Sequence, residues 1–248
     1  WNLGGTAWFD GEIRQVRIHN RALSAAEVRA AYSGQAVSYE YVGASQTATL
    51  NSTFTSSLDG WNAANTFNSQ SNTSSSTKMT LTATSASEYC RKASTLTVGK
   101  RYRVSYDASG VVGSPAFSNA ASGPLTTTSG TATITNGTGN TFEFVAPEVY
   151  PRIQSTTSSC SVELDNIVYT QIGCVAEYLP SGISATKWIN SSGTSGLDGT
   201  VTSATAINHE VGSLTMVDNI VMANGKGIDF SNLDPDGSVA GTTTSQLL

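Results

Sequence analysis

Between Asn51 and Gly173, apolar residues recur at every second position in short runs broken by Gly, Ser, Asn and Pro; the clearest are TKMTLTATSA, KRYRVSYDASG, NTFEFVAPE and CSVELDNIVYTQIG. Every second side chain of a strand lands on the same face, so each run can bury one face and leave the other in water. Runs of this length with turn residues between them predict strands of a sandwich and argue against helices. The expected inward positions are Met79, Leu81, Tyr102, Val104, Tyr106, Phe142, Phe144, Val162, Leu164, Ile167 and Val168, the last group breaking strict alternation. Ser and Thr make up roughly a quarter of the 248 residues, which together with 23 Gly favours strands and turns over helices. The fold class read from this pattern is all-β.

Charge and hydropathy argue against several roles. Thirteen basic residues against eighteen acidic ones give a net charge of −5, and no Lys/Arg cluster could follow a phosphate backbone, so no nucleic-acid partner is expected. No apolar run approaches the roughly 20 residues that span a bilayer, so no membrane insertion is expected either. The chain opens at Trp1 without Met or a basic leader, and residue 1 is not expected to be the biological start. Cys90, Cys160 and Cys174 are too few and too far apart for a disulfide scaffold or thiolate metal site. Buried free thiols are expected, with a Cys90–Cys160 pair across the sandwich as the alternative.

In the first segment, Asp10-Gly11 marks a turn, and Ile13, Val16 and Ile18 are strand positions. Ser24 with Glu27 three residues on forms a capping-box pattern; Val28, Ala31 and Tyr32 supply one helix face, and Gly34 ends the helix. The stretch GEIRQVRIHNRALS resembles the C-terminal end of laminin-G-like, concanavalin-type sandwiches, which finish with such a strand and a short helix. Only about 35 residues of that pattern are present, where a sandwich runs on the order of 100. Either an upstream portion or another element of the chain must therefore complete the sheet. Residues 36–50, with Val37, Tyr39 and Tyr41 alternating, read as a strand leading into a linker.

For residues 51–172, NSTFTSSLDGW and VELDNIVY resemble the jelly-roll carbohydrate-binding modules, with their D-G-W turn and D-N-[IV] last strand. The resemblance implies a structural calcium held by a glutamate after the early Phe and by the last-strand aspartate. Thr55 stands at the glutamate position, which leaves Asp165 as the remaining candidate metal ligand.

Residues 173–248 read as a fibre-like β region. Ile220, Met222, Ile228, Phe230 and Leu233 among many small residues cannot make a core of their own, so the segment needs neighbouring copies. GSLTMVDNIVMANGKGIDFS resembles the C-terminal region of tailed-phage tail-fibre and virion structural proteins, and WINSSG with LDGTVTSAT resembles phage virion segments and the opening strand of laminin-G-like domains. A homotrimer follows, with Ile207, Val211, Leu214, Val217, Ile220, Val221, Ile228 and Phe230 as axial or inter-chain contacts.

No nucleophile, P-loop, zinc or dinucleotide signature is present, so no enzyme activity is expected. His19 and His209 read as exposed or interfacial residues, and Glu163 with Asp165, two apart on one strand face, as a solvent face. Glycan binding asks only for aromatic faces with polar groups beside them. Trp61, Tyr89, Tyr150 and Arg152 are the candidates, with Pro147 and Pro151 bracketing an exposed loop; Trp61 also reads as core. Trp1, Trp8 and Trp188 read as core or interface residues.

The whole predicts a phage tail-fibre or virion appendage protein in the virion, assembled in the host cytoplasm beside other virion proteins. It would bind host-surface polysaccharide without catalysis. The alternatives are an accessory carbohydrate-binding segment of a secreted bacterial protein and a purely structural virion spacer.

Overall fold

The computed structural model describes residues 13–55, 57–65, 69–71, 77–93, 95–119, 123–184 and 186–201. All belong to one compact unit, 1–206, distinct from a second unit, 207–248. The expected trimer contacts Ile207, Val211, Leu214, Val217, Ile220, Val221, Ile228 and Phe230 lie outside the described residues, as do Trp1, Trp8 and His209.

The described chain is all-β with one short helix. In chain order the first strands are β1 (Val16–His19), β2 (Leu50–Ser52), β3 (Trp61–Asn65), β4 (Ser69–Ser71), β5 (Met79–Ala83) and β6 (Tyr89–Lys92). There follow β7 (Arg101–Val112), β8 (Pro115–Asn119), β9 (Gly123–Pro124), β10 (Thr126–Thr127), β11 (Gly130–Thr131) and β12 (Gly137–Val145). The last are β13 (Arg152–Ser155), β14 (Cys160–Gln171), β15 (Cys174–Ile183), β16 (Lys187–Asn190) and β17 (Gly199–Thr200), and α1 spans Ala25–Tyr32.

Two antiparallel sheets share one apolar core. The first runs β12-β7-β14-β5-β4, with β2 beside β14; the second runs β3-β6-β13-β8-β9. Trp61, Cys90, Phe117 and Ile153 of the second sheet meet Leu81, Val104, Leu164 and Tyr169 of the first in a single cluster. Phe117 sits at its centre, with ring centroids 4.9 Å from Tyr106, 5.1 Å from Phe142 and 6.3 Å from Tyr169.

Of the expected inward positions, Met79, Leu81, Tyr102, Val104, Tyr106, Phe144, Val162, Leu164 and Ile167 are buried, and Phe142 packs partly buried against them. Val168 is not buried; Tyr169 takes the inward place. The cause is a bulge between Asp165 and Val168, where Asn166 adopts φ +49° and one extra residue swaps the two faces.

The capping box forms as the sequence predicts. Ser24 Oγ accepts from Glu27 N and the Glu27 carboxylate accepts from Ser24 N. Yet α1 buries none of its residues, and Tyr32 is 95 % exposed. The strand expected at Tyr39–Tyr41 is instead a 3-10 turn. Three residues per turn point three ways, which a two-faced strand cannot do. Lys100 lies over the Tyr39 ring, Glu40 pairs with Arg101, and Arg21 lies over the Tyr41 ring.

The element that completes the first segment's sheet lies within the chain. β1 pairs antiparallel with β15, and β16 and β17 extend the sheet from there. Residues 174–200, read from sequence as the start of the fibre-like region, are thus taken up in a sheet with residues 16–19. Gly173 connects β14 to this sheet at φ +146°, and a Cβ there would stand 2.2 Å from the Tyr41 carbonyl oxygen, so the turn holds that backbone against it. All three cysteines are buried free thiols.

Candidate functional site

The D-G-W corner decides the fate of Trp61. Asp59 at φ +49° and Gly60 at φ +76° turn the chain tightly into β3. The Asp59 carboxylate fastens the preceding loop, accepting from Thr53 N at 2.9 Å and Phe54 N at 2.8 Å. This places Trp61 inward, 1 % exposed, with its indole N–H donating to Ser52 Oγ at 3.0 Å. As a glycan platform Trp61 is therefore corrected: its ring belongs to the core. Trp188 is half-buried, its ring centroid 5.6 Å from that of Tyr178.

The other three glycan candidates come together on the outer face of the second sheet. Ile153 faces Cys90 and Phe117 in register and points inward, so its neighbours Arg152 and Gln154 take the outer face beside Arg91 and Tyr89. The Arg152 guanidinium lies 4.1 Å from the Tyr89 ring centroid, and that of Arg91 lies 4.8 Å from the Tyr150 ring centroid. Diagonal partners on a strand pair are within reach of long side chains, and the two stacks interlock this way. Arg152 is 7 % exposed and its Nη2 stands 3.6 Å from a Glu148 oxygen, while Tyr89, Arg91 and Tyr150 are half-buried. Arg152 Nε, the second Glu148 oxygen and Ser118 Oγ are buried without a hydrogen-bond partner.

Sequence reading missed Arg91. Its signal was present, since it lies two residues after Tyr89 on the same strand face.

A second group lies on the outer face of the first sheet. Asp165 faces Asp107 in register, and Glu163 faces Ser109. With Lys78 they border a cavity of about 140 Å³. Hydrogen bonds from Asn166 Nδ2 (2.8 Å) and Gly139 N (2.6 Å) hold the Asp107 carboxyl below its usual range. Ser109 Oγ (2.8 Å) and Lys78 Nζ (3.1 Å) do the same for Glu163. Both carboxylates are thereby kept ionised at neutral pH, the opposite of what a protonated general acid needs. Asp165 accepts from Asn166 N at 2.7 Å. Among the described residues no three His, Cys, Asp or Glu side chains are grouped to hold a metal ion.

His19, read from sequence as exposed or interfacial, is half-buried, and its Nδ1 is buried without a partner. Comparison of the chain with protein-family models, with curated proteins and with solved structures finds no match to any of them.

Proposed function

We propose that this chain is part of a tail-fibre-type virion appendage, a non-catalytic structural protein that binds host-surface glycan through the outer face bearing Tyr89, Arg91, Tyr150 and Arg152. The observation that carries this reading is the pair of interlocked phenol–guanidinium stacks on that face. A ring held flat by a guanidinium loses little rotamer freedom on meeting a sugar, and the half-buried Arg91 guanidinium beside it can bond to hydroxyls. The pinned D-G-W corner and the bulged D-N strand support a jelly roll of the carbohydrate-binding-module type for residues 51–172, and the β1–α1 segment supports a concanavalin-like end. The glycan contact uses no metal.

Assembly belongs in this reading to the residues after 201, because 174–200 are paired within the chain. A trimer would present three weak sites together and raise apparent affinity by about 10² or more. The test is a host-polysaccharide array probed with the full chain, alongside its absolute mass by light scattering. Trimer mass, with binding lost in Tyr150→Ala at unchanged circular dichroism, supports the appendage adhesin. A monomer that binds moves the chain to a secreted accessory module. One observation favours the purely structural spacer: Arg152 is nearly buried and already engaged with Tyr89 and Glu148. A trimer that binds no glycan selects it.

A further inference from the structure

Among the described residues, the arginines that the fold buries at least in part divide into those with a carboxylate and one without. Arg17 pairs with Glu177, Arg21 with Glu27, Arg101 with Glu40 and Arg152 with Glu148. Arg91 is the exception. Its half-buried guanidinium meets no hydrogen-bond acceptor or carboxylate among the described residues, and it is held against the Tyr150 ring, 4.8 Å from the centroid. A guanidinium that has lost part of its hydration with no partner in exchange is costly to keep. Its donors are nonetheless open. Arg152 Nε is sealed from water without a partner, whereas no Arg91 nitrogen is.

Strand register fixes what stands beside it. β3, β6 and β13 place Asn62, Arg91 and Arg152 in one row across the outer face. Asn62 is exposed, and its amide is unused among the described residues. Arg152 adds no net charge, because the Glu148 carboxylate stands 3.6 Å from it. Lys92, the next residue of β6, faces Trp61 in register on the other side and donates to Ser52 Oγ and the Asp59 carbonyl. The row therefore carries one uncompensated positive charge, at Arg91, beside a free amide.

A neutral sugar would take water from that guanidinium and leave its charge unmet. A carboxylate meets it, since two coplanar oxygens match the parallel N–H bonds of one guanidinium edge, and such pairs are roughly twice as strong as neutral hydrogen bonds. The net charge of −5 opposes an anion at long range. That opposition is screened beyond about 8 Å at physiological salt, while a partly buried contact pair is screened much less.

We infer that the glycan taken by this face is acidic, a saccharide with a uronate-type carboxylate that accepts from Arg91 while Asn62 bonds to a neighbouring hydroxyl. This ligand class rests on the proposed glycan binding of the same face.

The test is calorimetric titration of the full chain with oligosaccharides bearing glucuronate, galacturonate or sialate, each beside its carboxyl-reduced counterpart, and with sulfated galactan oligosaccharides. An acidic member should bind about tenfold or more tightly than its reduced counterpart, a comparison that needs no variant. Arg91→Gln, at unchanged circular dichroism, should weaken the acidic member about tenfold or more beyond any loss for the reduced one. That difference separates a charge contact from a role in holding Tyr150. Equal binding of acidic and reduced members, or equal loss of both in Arg91→Gln, would overturn the acidic ligand and leave glycan binding standing. Sulfated members that bind as tightly as the uronates would overturn the carboxylate. No binding to any member would remove glycan binding itself, and the acidic ligand with it.

Discussion

Residues 50–169 bury Trp61, Tyr102, Phe117, Ile153 and Tyr169 in one continuous cluster, whereas the buried side chains among the described residues from 172 to 192 are Ile172, Cys174, Val175, Ala176, Asn190 and Ser192. The first set excludes water with large apolar side chains. The second, Ile172 and Val175 apart, is small or polar, and its sheet is tied by side-chain hydrogen bonds. Asn190 Oδ1 accepts from Glu177 N at 2.9 Å and Ser192 N at 3.1 Å, and its Nδ2 donates to the Thr194 carbonyl at 2.9 Å. Ser192 Oγ donates to the Val175 carbonyl at 2.8 Å, and the Tyr178 hydroxyl to the Leu197 carbonyl at 2.6 Å. Two sheet systems in one compact unit thus rely on different forces, area removed from water in one and satisfied polar groups in the other.

The comparison breaks most directly at Trp61. Trp61→Ala removes a wholly buried indole and the partner of Ser52 Oγ, and should cost about 3–5 kcal/mol. Urea unfolding measures the loss, and hydrogen exchange locates it: amides of β5, β7 and β14 should lose protection more than those of β15 and β16. Equal loss in both would show that the two regions unfold as one and that the contrast in their cores has no energetic counterpart.

Asn190→Ala is the mirror experiment. It leaves the buried Ser192 N–H and the part-buried Glu177 N–H without their acceptor, and should cost about 2 kcal/mol. Asn190→Asp keeps the accepting oxygen but sets a second, charged oxygen against the Thr194 carbonyl to which Nδ2 donates, so it should not recover the loss. Here the exchange pattern should reverse, with β15 and β16 losing protection before β5.

The same division governs what could be read from the sequence. Alternating Met79-x-Leu81 or Tyr102-x-Val104-x-Tyr106 declares a buried face because the apolar residues themselves carry the burial. A side chain such as Asn190 gives no such signal, since its importance lies in backbone groups that only the folded chain brings near. Residues 174–200 therefore read as fibre-like, although they pair with β1. Tyr39 and Tyr41 misled in the opposite way, as their alternation came from cation contacts on a 3-10 turn rather than from a strand face. The bulge at Asn166 was visible as broken alternation, but its effect of turning Tyr169 inward was not. At the candidate face, Tyr89, Tyr150 and Arg152 were legible as residues, and their interlocking with Arg91 required the register of β6 against β13.

The smallest effect tests whether charge adds to the polar region's hold. Arg21 lowers the Glu27 carboxyl to about 2, with Ser24 N and Oγ assisting. A carboxyl depressed in the folded state contributes stability that is fully present above its unfolded value, about 4.3, and disappears as pH falls through 2. Glu27→Gln keeps an oxygen that can still complete the capping box, and deletes the charge together with the acceptor that meets Arg21 Nη2. The substitution should cost about 1 kcal/mol at pH 7, the upper end for a pair that water still reaches. Because Arg21 stays charged throughout, the gap between parent and variant should close between pH 4.3 and 2 and nowhere else. A gap that persists at pH 2 would mean that Glu27 acts through its shape in the cap. One that closes above pH 4.3 would mean that Arg21 does not hold the carboxylate, and the corner joining β1 to α1 would then rest on neutral hydrogen bonds alone.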